Sequence, residues 1–269
     1  MSSFESTGAH SVAPELSASP QARSADGVRE AAPLLSVVVP AFNEVDNVVP
    51  LAEEVSAALR GLDGGFELIL VDDASTDGTP RVLRELALPS VRVAFHERNC
   101  GQSAAVASGF SLARGEWVAT LDGDGQNDPT DLPAMLALAM ARDVDCVTGV
   151  RAKRRDTWLR RISSRIANGF RDWITGDRVT DSGCGIRVVR RTALHEVPVF
   201  NGMHRFLPTL LRGQGYTVLE HPVNHRERLR GVSKYGVGNR LWRGIRDCFG
   251  VRWYLRRAVP GRRLSAPDA

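Results

Sequence analysis

The chain has 269 residues, room for one large domain or two small ones. Its 43% hydrophobic and 25% charged residues are ordinary for a globular protein, and its formal net charge is +4. No apolar run reaches the roughly 18 residues of a membrane span, and the N-terminus lacks the basic-then-apolar pattern of a secretory signal. Cys100, Cys146, Cys184 and Cys248 are far apart and form no C-x-x-C, which argues against a zinc knuckle or a disulfide framework and for a reducing, cytoplasmic compartment.

In chain order, residues 1–33 are rich in Ser, Ala and Pro without an apolar period and are expected to be a disordered tail. Order begins at the β-branched run Leu34–Val39, ended by Pro40. A helix is expected from Asn47, as N-cap, to Leu59, with Gly61 as its stop. Then follow a strand at Phe66–Val71, a helix at Thr79–Ala87, a strand at Val91–Phe95 and a helix at Gln102–Ala113. A strand at Trp117–Leu121, a helix at Leu132–Ala141 and a strand at Cys146–Val150 complete the alternation. Such alternation predicts an α/β fold, a mostly parallel sheet covered by helices on both faces. Ligands of such sheets bind beyond the carboxyl ends of the strands.

Past residue 151 the pattern changes. Thr157–Ile174 is expected to be a basic amphipathic helix, Gly183–Arg190 a strand, Leu207–Arg212 a helix and Val218–Arg226 extended. Asn239–Arg257 is expected to be a helix broken near Gly250. The expected organisation is thus a tail (1–33), a catalytic domain (34–236) and a basic amphipathic segment (237–269).

Charge is uneven along this order. Residues 151–191 carry 12 Lys+Arg against 4 Asp+Glu, and residues 226–263 carry 12 against 2, which leaves the remainder acidic. Two basic segments on an acidic body point to an anionic partner. In the last helix Leu241, Trp242, Ile245, Phe249 and Trp253 are interleaved with six arginines, the composition of a helix lying in a membrane interface. The competing expectation is that these aromatics complete a core.

Neither G-x-G-x-x-G after the first strand nor a Walker loop is present, which argues against a dinucleotide dehydrogenase and a P-loop NTPase. The strand ends carry acids and amides instead: Asn43-Glu44, Asp72-Asp73 and Asp122-Gly123-Asp124. Two carboxylates converging at a sheet mouth repel unless a cation lies between them, and oxygen donors suit Mg²⁺ or Mn²⁺. Mg²⁺ held by one or two carboxylates usually shares substrate phosphates, which points to a nucleotide. An EF-hand is excluded, because the sixth residue counted from Asp122 is Asn127 and the twelfth is Pro133. A nucleic-acid binder using the basic segments would leave the strand-end acids unexplained.

The runs V-V-V-P-A-F-N-E (37–44), V-D-D-A-S-T-D-G-T (71–79), N-C-G-Q-S-A-A (99–105) and L-D-G-D-G-Q-N-D-P (121–129) resemble family 2 glycosyltransferases of the GT-A fold. T-G-V-R (148–151), T-D-S-G-C-G-I-R (180–187) and R-L-R-G-V-S-K-Y-G (228–236) resemble, more narrowly, polyprenyl-phosphate sugar transferases of the dolichyl-phosphate mannose synthase type. The resemblance implies that Pro40, Ala41, Asn43, Glu44 and Asp73 hold the nucleoside, with Gln102 nearby. It implies that Asp122, Asp124 and Gln126 bind metal and diphosphate, and that Arg228, Ser233 and Lys234 clamp the donor. Arg151, Arg160 and Ser164 would meet the lipid phosphate, and Asp181 and Arg187 would lie with Asp124 at the reaction centre.

The implied reaction is inverting, metal-dependent transfer of a sugar from a UDP- or GDP-sugar to undecaprenyl or another polyprenyl phosphate. The implied place is the cytoplasmic face of the plasma membrane, bound peripherally to anionic lipid. Many relatives carry C-terminal membrane helices that this sequence lacks, so an integral membrane partner is expected as well. The alternative is a family 2 enzyme acting on a glycan hydroxyl in cell-envelope synthesis, with Asp181 as base. His204 and His221 fall in no ligand pattern and are expected to be structural; His225, beside Arg226, is a functional candidate.

Overall fold

The computed structural model describes residues 31–151, 169–226 and 237–259, the last of these as backbone alone up to residue 243. The expected tail up to residue 30, most of the Thr157–Ile174 helix, and Arg160, Ser164, Arg228, Ser233 and Lys234 lie outside the described residues.

The first half is a regular alternation: β1 (Leu35–Ala41), α1 (Val48–Leu59), β2 (Phe66–Asp72), α2 (Thr79–Glu85), β3 (Val91–Phe95), α3 (Gln102–Leu112) and β4 (Trp117–Thr120). A 3₁₀ turn at Pro129–Asp131 leads into α4 (Leu132–Ala141) and β5 (Cys146–Arg151). Residues 169–175 are helical (α5), followed by β6 (Arg187–Arg190), α6 (Arg191–Leu194), α7 (Met203–Gly213), β7 (Val218–Val223) and α8 (Val237–Arg257).

The seven strands form one sheet in the order β3-β2-β1-β4-β6-β5-β7. All neighbours are parallel except β6, which runs antiparallel to both β4 and β5. Both faces are covered. All seven residues of β1 are buried. Val37 and Val39 pack with Leu51, Val55, Leu83, Met135 and Leu136 from α1, α2 and α4. Val38, on the opposite face, packs with Ala105 of α3, with Phe206, Leu207 and Leu210 of α7, and with Cys248 and Val251 of α8. Each such aliphatic side chain contributes about 1.5–3 kcal/mol when fully buried, which is why continuous β-branched runs seek the centre of a parallel sheet.

Four expectations are corrected. Asn47 stands at the N-cap of α1 without a side-chain cap bond; its amide donates to Glu44 Oε2 at 2.6 Å instead. Of the expected 183–190 strand only Arg187–Arg190 is strand, because the chain is still in a turn at 180–183 and Gly185 is drawn to β4 by the Thr120 hydroxyl. α7 begins at Met203, four residues before the expected start. α8 is continuous through Gly250: Cys248 and Val251 are anchored in the core on either side of it, outweighing the roughly 1 kcal/mol that a mid-helix glycine costs.

Candidate active site

The carboxyl ends of β1, β2 and β4 open into one cleft of about 390 Å³. Pro40, Ala41, Glu44, Asp73, Gln102, Asp122, Asp124, Gln126 and Arg187 all line it. So do the turn at Ser182–Gly185 and, from α7, His204 and Arg205. Asn43, Asp181 and Arg151 are not among its lining residues.

At one end of the cleft Asp73 organises the entry to α3. Its Oδ1 accepts from Cys100 N–H at 2.9 Å and meets His96 Nδ1 at 2.7 Å, while Oδ2 accepts from Gly101 N–H at 2.7 Å. Gly101 is in the left-handed region (φ 89°), which a glycine adopts without strain. Asn43 is left-handed as well (φ 52°) and joins two loops: it donates its N–H to Ser75 Oγ and its Oδ1 accepts from Thr76 N–H at 2.7 Å. Its place is in the wall behind the cleft.

The acids at the end of β4 are held tightly. Asp122 donates its N–H to Asn127 Oδ1 at 2.9 Å and accepts from Gln102 Nε2 at 2.8 Å. Thr120 Oγ1 donates to Gly185 O at 2.7 Å, which brings the 182–187 turn against the carboxylate. A Cβ on Gly185 would lie 2.1 Å from Asp122 Oδ2, so any larger residue would push the carboxylate aside. Burial, then the neighbouring charge of Asp124, pushes the Asp122 carboxyl up to about 6. With Asp124 two residues on, Asp122 gives an oxygen-only donor set that fits Mg²⁺ or Mn²⁺. Gln126 extends this edge: its N–H donates to Asp124 Oδ1 at 3.2 Å, and its carbonyl accepts from Arg226 N–H at 2.9 Å. Asp73, His96 and Cys100 also offer ligand atoms within 4.8 Å of one another, but Asp73 already accepts two backbone N–H groups there.

Arg151 and Asp181 pair with each other. Arg151 Nε and Nη2 reach the two oxygens of Asp181 at 2.7 Å each, and Arg151 N–H adds a 3.3 Å contact. This is the bidentate fork that makes Arg–carboxylate pairs strong. Arg187, at the start of β6, is 4% exposed. β6 pairs antiparallel with β4 in the register Thr120↔Arg187, which carries this arginine to the carboxyl end of β4. Cys146 and Cys184 are pushed up by burial, Cys146 to about 12, so neither is a thiolate.

His204, expected to be structural, lines the cleft. Its Nδ1 lies 2.7 Å from Ser103 Oγ, which accepts from Gly202 N–H at 2.9 Å. Burial, then the charges of Arg205 and Arg187, lowers its pKa to about 3, and the ring is neutral. The sequence held the signal: the apolar period Met203, Phe206, Leu207, Leu210, Leu211 runs back past Leu207 and puts His204 and Arg205 in the first helical turn.

The glycosyl transferase family 2 model matches residues 36–198. The chain belongs to glycosyl transferase family 2. It is a glycosyltransferase of the GT-A fold. Among relatives in this family, it is 42% identical over 237 residues to the dodecaprenyl-phosphate galacturonate synthase of Rhizobium johnstonii, covering 84% of this chain and 69% of that one. It is 36% identical over 206 residues to the undecaprenyl-phosphate 4-deoxy-4-formamido-L-arabinose transferase of Edwardsiella ictaluri, covering 76% of this chain and 63% of that one. The chain thus spans about two thirds of the length of these relatives. Of solved family-like folds, glucosyl-3-phosphoglycerate synthase from Mycobacterium tuberculosis in complex with Mn²⁺, UDP and phosphoglyceric acid superposes with TM-score 0.62 at 18% identity, covering 86% of this chain and 80% of that one. A mannosyltransferase from Pyrobaculum calidifontis in complex with GDP-Man and Mn²⁺ gives 0.56 at 23% identity, covering 88% and 66%.

Proposed function

We propose that the chain transfers a sugar from a nucleoside-diphosphate donor to a polyprenyl phosphate, with a divalent cation at Asp122 and Asp124. The observation that carries the choice of acceptor is the Arg151–Asp181 fork. A hydroxyl acceptor needs a carboxylate base. Asp181, 5% exposed and held through both oxygens by a guanidinium, is poorly placed to take a proton. The cleft's own carboxylates are Glu44 and Asp73 at one end and the cation pair Asp122–Asp124 in the middle. A phosphate acceptor is already an anion near neutral pH and asks for no base. The two relatives named above are both polyprenyl-phosphate enzymes, which supports the same reading.

In this reading the nucleoside lies toward Pro40, Ala41, Asp73 and Gly101, and Gln102 keeps Asp122 oriented. A bound Mg²⁺ or Mn²⁺ would offset the charge that grows on the departing diphosphate. Arg228, Ser233 and Lys234 would clamp the donor, and Arg160 and Ser164 would help hold the acceptor.

A lipid acceptor calls for contact with a membrane surface. No described helix is long and apolar enough to cross a membrane. The exposed large apolar residues include Trp173 (76%) at α5 and Phe249 (55%) and Trp253 (62%) on α8. Arg252 Nη1 donates to Ile174 O at 2.6 Å and joins the two helices. Aromatics beside the exposed Arg256 and Arg257 suit the headgroup layer of an anionic leaflet. We place the protein peripherally on the cytoplasmic face of the plasma membrane, where an integral membrane protein would take the lipid-linked product onward.

The test is a panel of UDP- and GDP-sugars incubated with the protein, Mn²⁺ and undecaprenyl phosphate, following nucleoside diphosphate release with and without lipid. Lipid-dependent release is the expected result, and the productive donor identifies base and sugar. Release that needs a glycan and ignores the lipid would overturn the acceptor assignment.

A further inference from the structure

One wall of the cleft has a chemistry that a donor and its cation leave unused. Between the 182–187 turn and the first turn of α7, the polar groups that titrate as cations or donate are Arg187, His204 and Arg205, and none of the lining residues from 182 to 207 is an acid. Arg187 is 4% exposed, and its Nε has no hydrogen-bond partner among the described residues. Among the described residues its Nη2 reaches Ser182 O, at 3.4 Å. The nearby Asp122 carboxylate supplies part of the countercharge, but the guanidinium is still thinly hydrogen-bonded and has donors left for a further anion. The Ser103 hydroxyl accepts from Gly202 N–H and has one proton to give; His204 Nδ1 lies 2.7 Å away to take it. In the tautomer that takes this proton at Nδ1, the ring proton sits on Nε2 and makes it a donor. Burial and the two neighbouring guanidiniums together keep this ring uncharged.

We propose that Arg187, His204 and Arg205 form a second anion subsite, beside the acids that would hold the cation, that holds an anionic group on one of the two reactants. The chemistry is that of an oxyanion with several acceptor oxygens: a guanidinium beneath, a neutral imidazole N–H at the side, and a second guanidinium at the exposed mouth. Two reactants could bring it, the acceptor as a phosphomonoester or the transferred sugar as a carboxylate. Assigning the anion to a reactant rests on the transferase reading proposed above; the subsite itself does not.

The experiment is equilibrium binding to the full chain, alone and saturated with UDP and Mg²⁺. The probes are geranyl phosphate against geraniol, and UDP-glucuronate against UDP-glucose. Arg205→Gln, at an exposed position, and His204→Ala are compared with His204→Gln, whose amide keeps an N–H donor near the place of Nε2. We expect Arg205→Gln and His204→Ala to weaken an anionic probe at least tenfold relative to its neutral partner, His204→Gln to recover part of the loss, and UDP affinity to stay within twofold. A loss confined to geranyl phosphate assigns the anion to the acceptor; one confined to UDP-glucuronate assigns it to the sugar. Equal affinities for the anionic and neutral probes in the unsubstituted chain would overturn the subsite, as would UDP and anion affinity falling together in Arg205→Gln. Failure of the unsubstituted chain to bind UDP would count against the donor reading, and the geranyl phosphate pair would still decide the subsite.

Discussion

At the scale of single residues, much rests on Asp122 and on what lets it sit where it does. The carboxylate is half-buried, braced by Gln102 and overlain by Gly185. Gly185→Ala should displace it: with a Cβ 2.1 Å from the carboxylate, we expect Mn²⁺-dependent UDP affinity to fall at least tenfold by calorimetry. Asp124→Asn should abolish turnover and remove the cation dependence of donor binding; retained cation-dependent binding would move the cation elsewhere. A second acid, the buried Glu67, does structural work far from the cleft. Burial alone would raise its pKa, but hydrogen bonds from Arg92, Ser36 and Arg114 outweigh that and hold it below the usual value. A carboxyl lowered in the folded state stabilises fully above the unfolded carboxylate range, and the contribution fades as pH falls through the folded value. Glu67→Gln should therefore cost about 1.5–3 kcal/mol in urea unfolding at neutral pH and much less near pH 3.

At the scale of elements, the sequence was legible where one strand end carried its own chemistry. Asp122 and Asp124 follow an apolar run directly, and Asp73 does the same after β2, so periodicity alone brings them to one edge of the sheet. What periodicity could not reach was pairing between elements. The Arg151–Asp181 fork joins residues thirty positions apart, and its geometry depends on the turn before β6. A run of glycines with alternating apolar residues reads as a strand, yet Gly183 and Gly185 are there for close approach, to Arg151 and to Asp122. The break expected in α8 failed for a similar reason: local propensity at Gly250 was weighed without the tertiary contacts of Cys248 and Val251. Gly250 itself has open space around its missing side chain, so Gly250→Ala should stabilise the protein by about 0.5–1 kcal/mol and raise Tm.

At the scale of the whole molecule, the face formed by α5 and α8 can be tested apart from the chemistry. If that face meets an anionic leaflet, each exposed arginine contributes about 1 kcal/mol. Arg256→Gln with Arg257→Gln should then lower affinity for anionic vesicles by about thirtyfold at low salt while UDP binding holds. Unchanged vesicle affinity would return these helices to a purely structural role, for which Cys248 and Val251 already give them an anchor.

The reversed strand β6 has a consequence for how the molecule is made. β4 is flanked by β1 and β6, and β5 by β6 and β7. A polypeptide leaving the ribosome can assemble β1 to β4 early, yet β4 keeps one edge open and β5 has no neighbouring strand until Arg187–Arg190 emerge. The β1–β2 end of the cleft is thus synthesised first, while the turn that seats Asp122 arrives with the strand that joins β4 to β5. A nascent chain stalled between β5 and β6 would expose open strand edges and leave Asp122 without the turn that seats it, so the seating of that acid and the joining of β4 to β5 are one event, with β7 added at the edge afterwards.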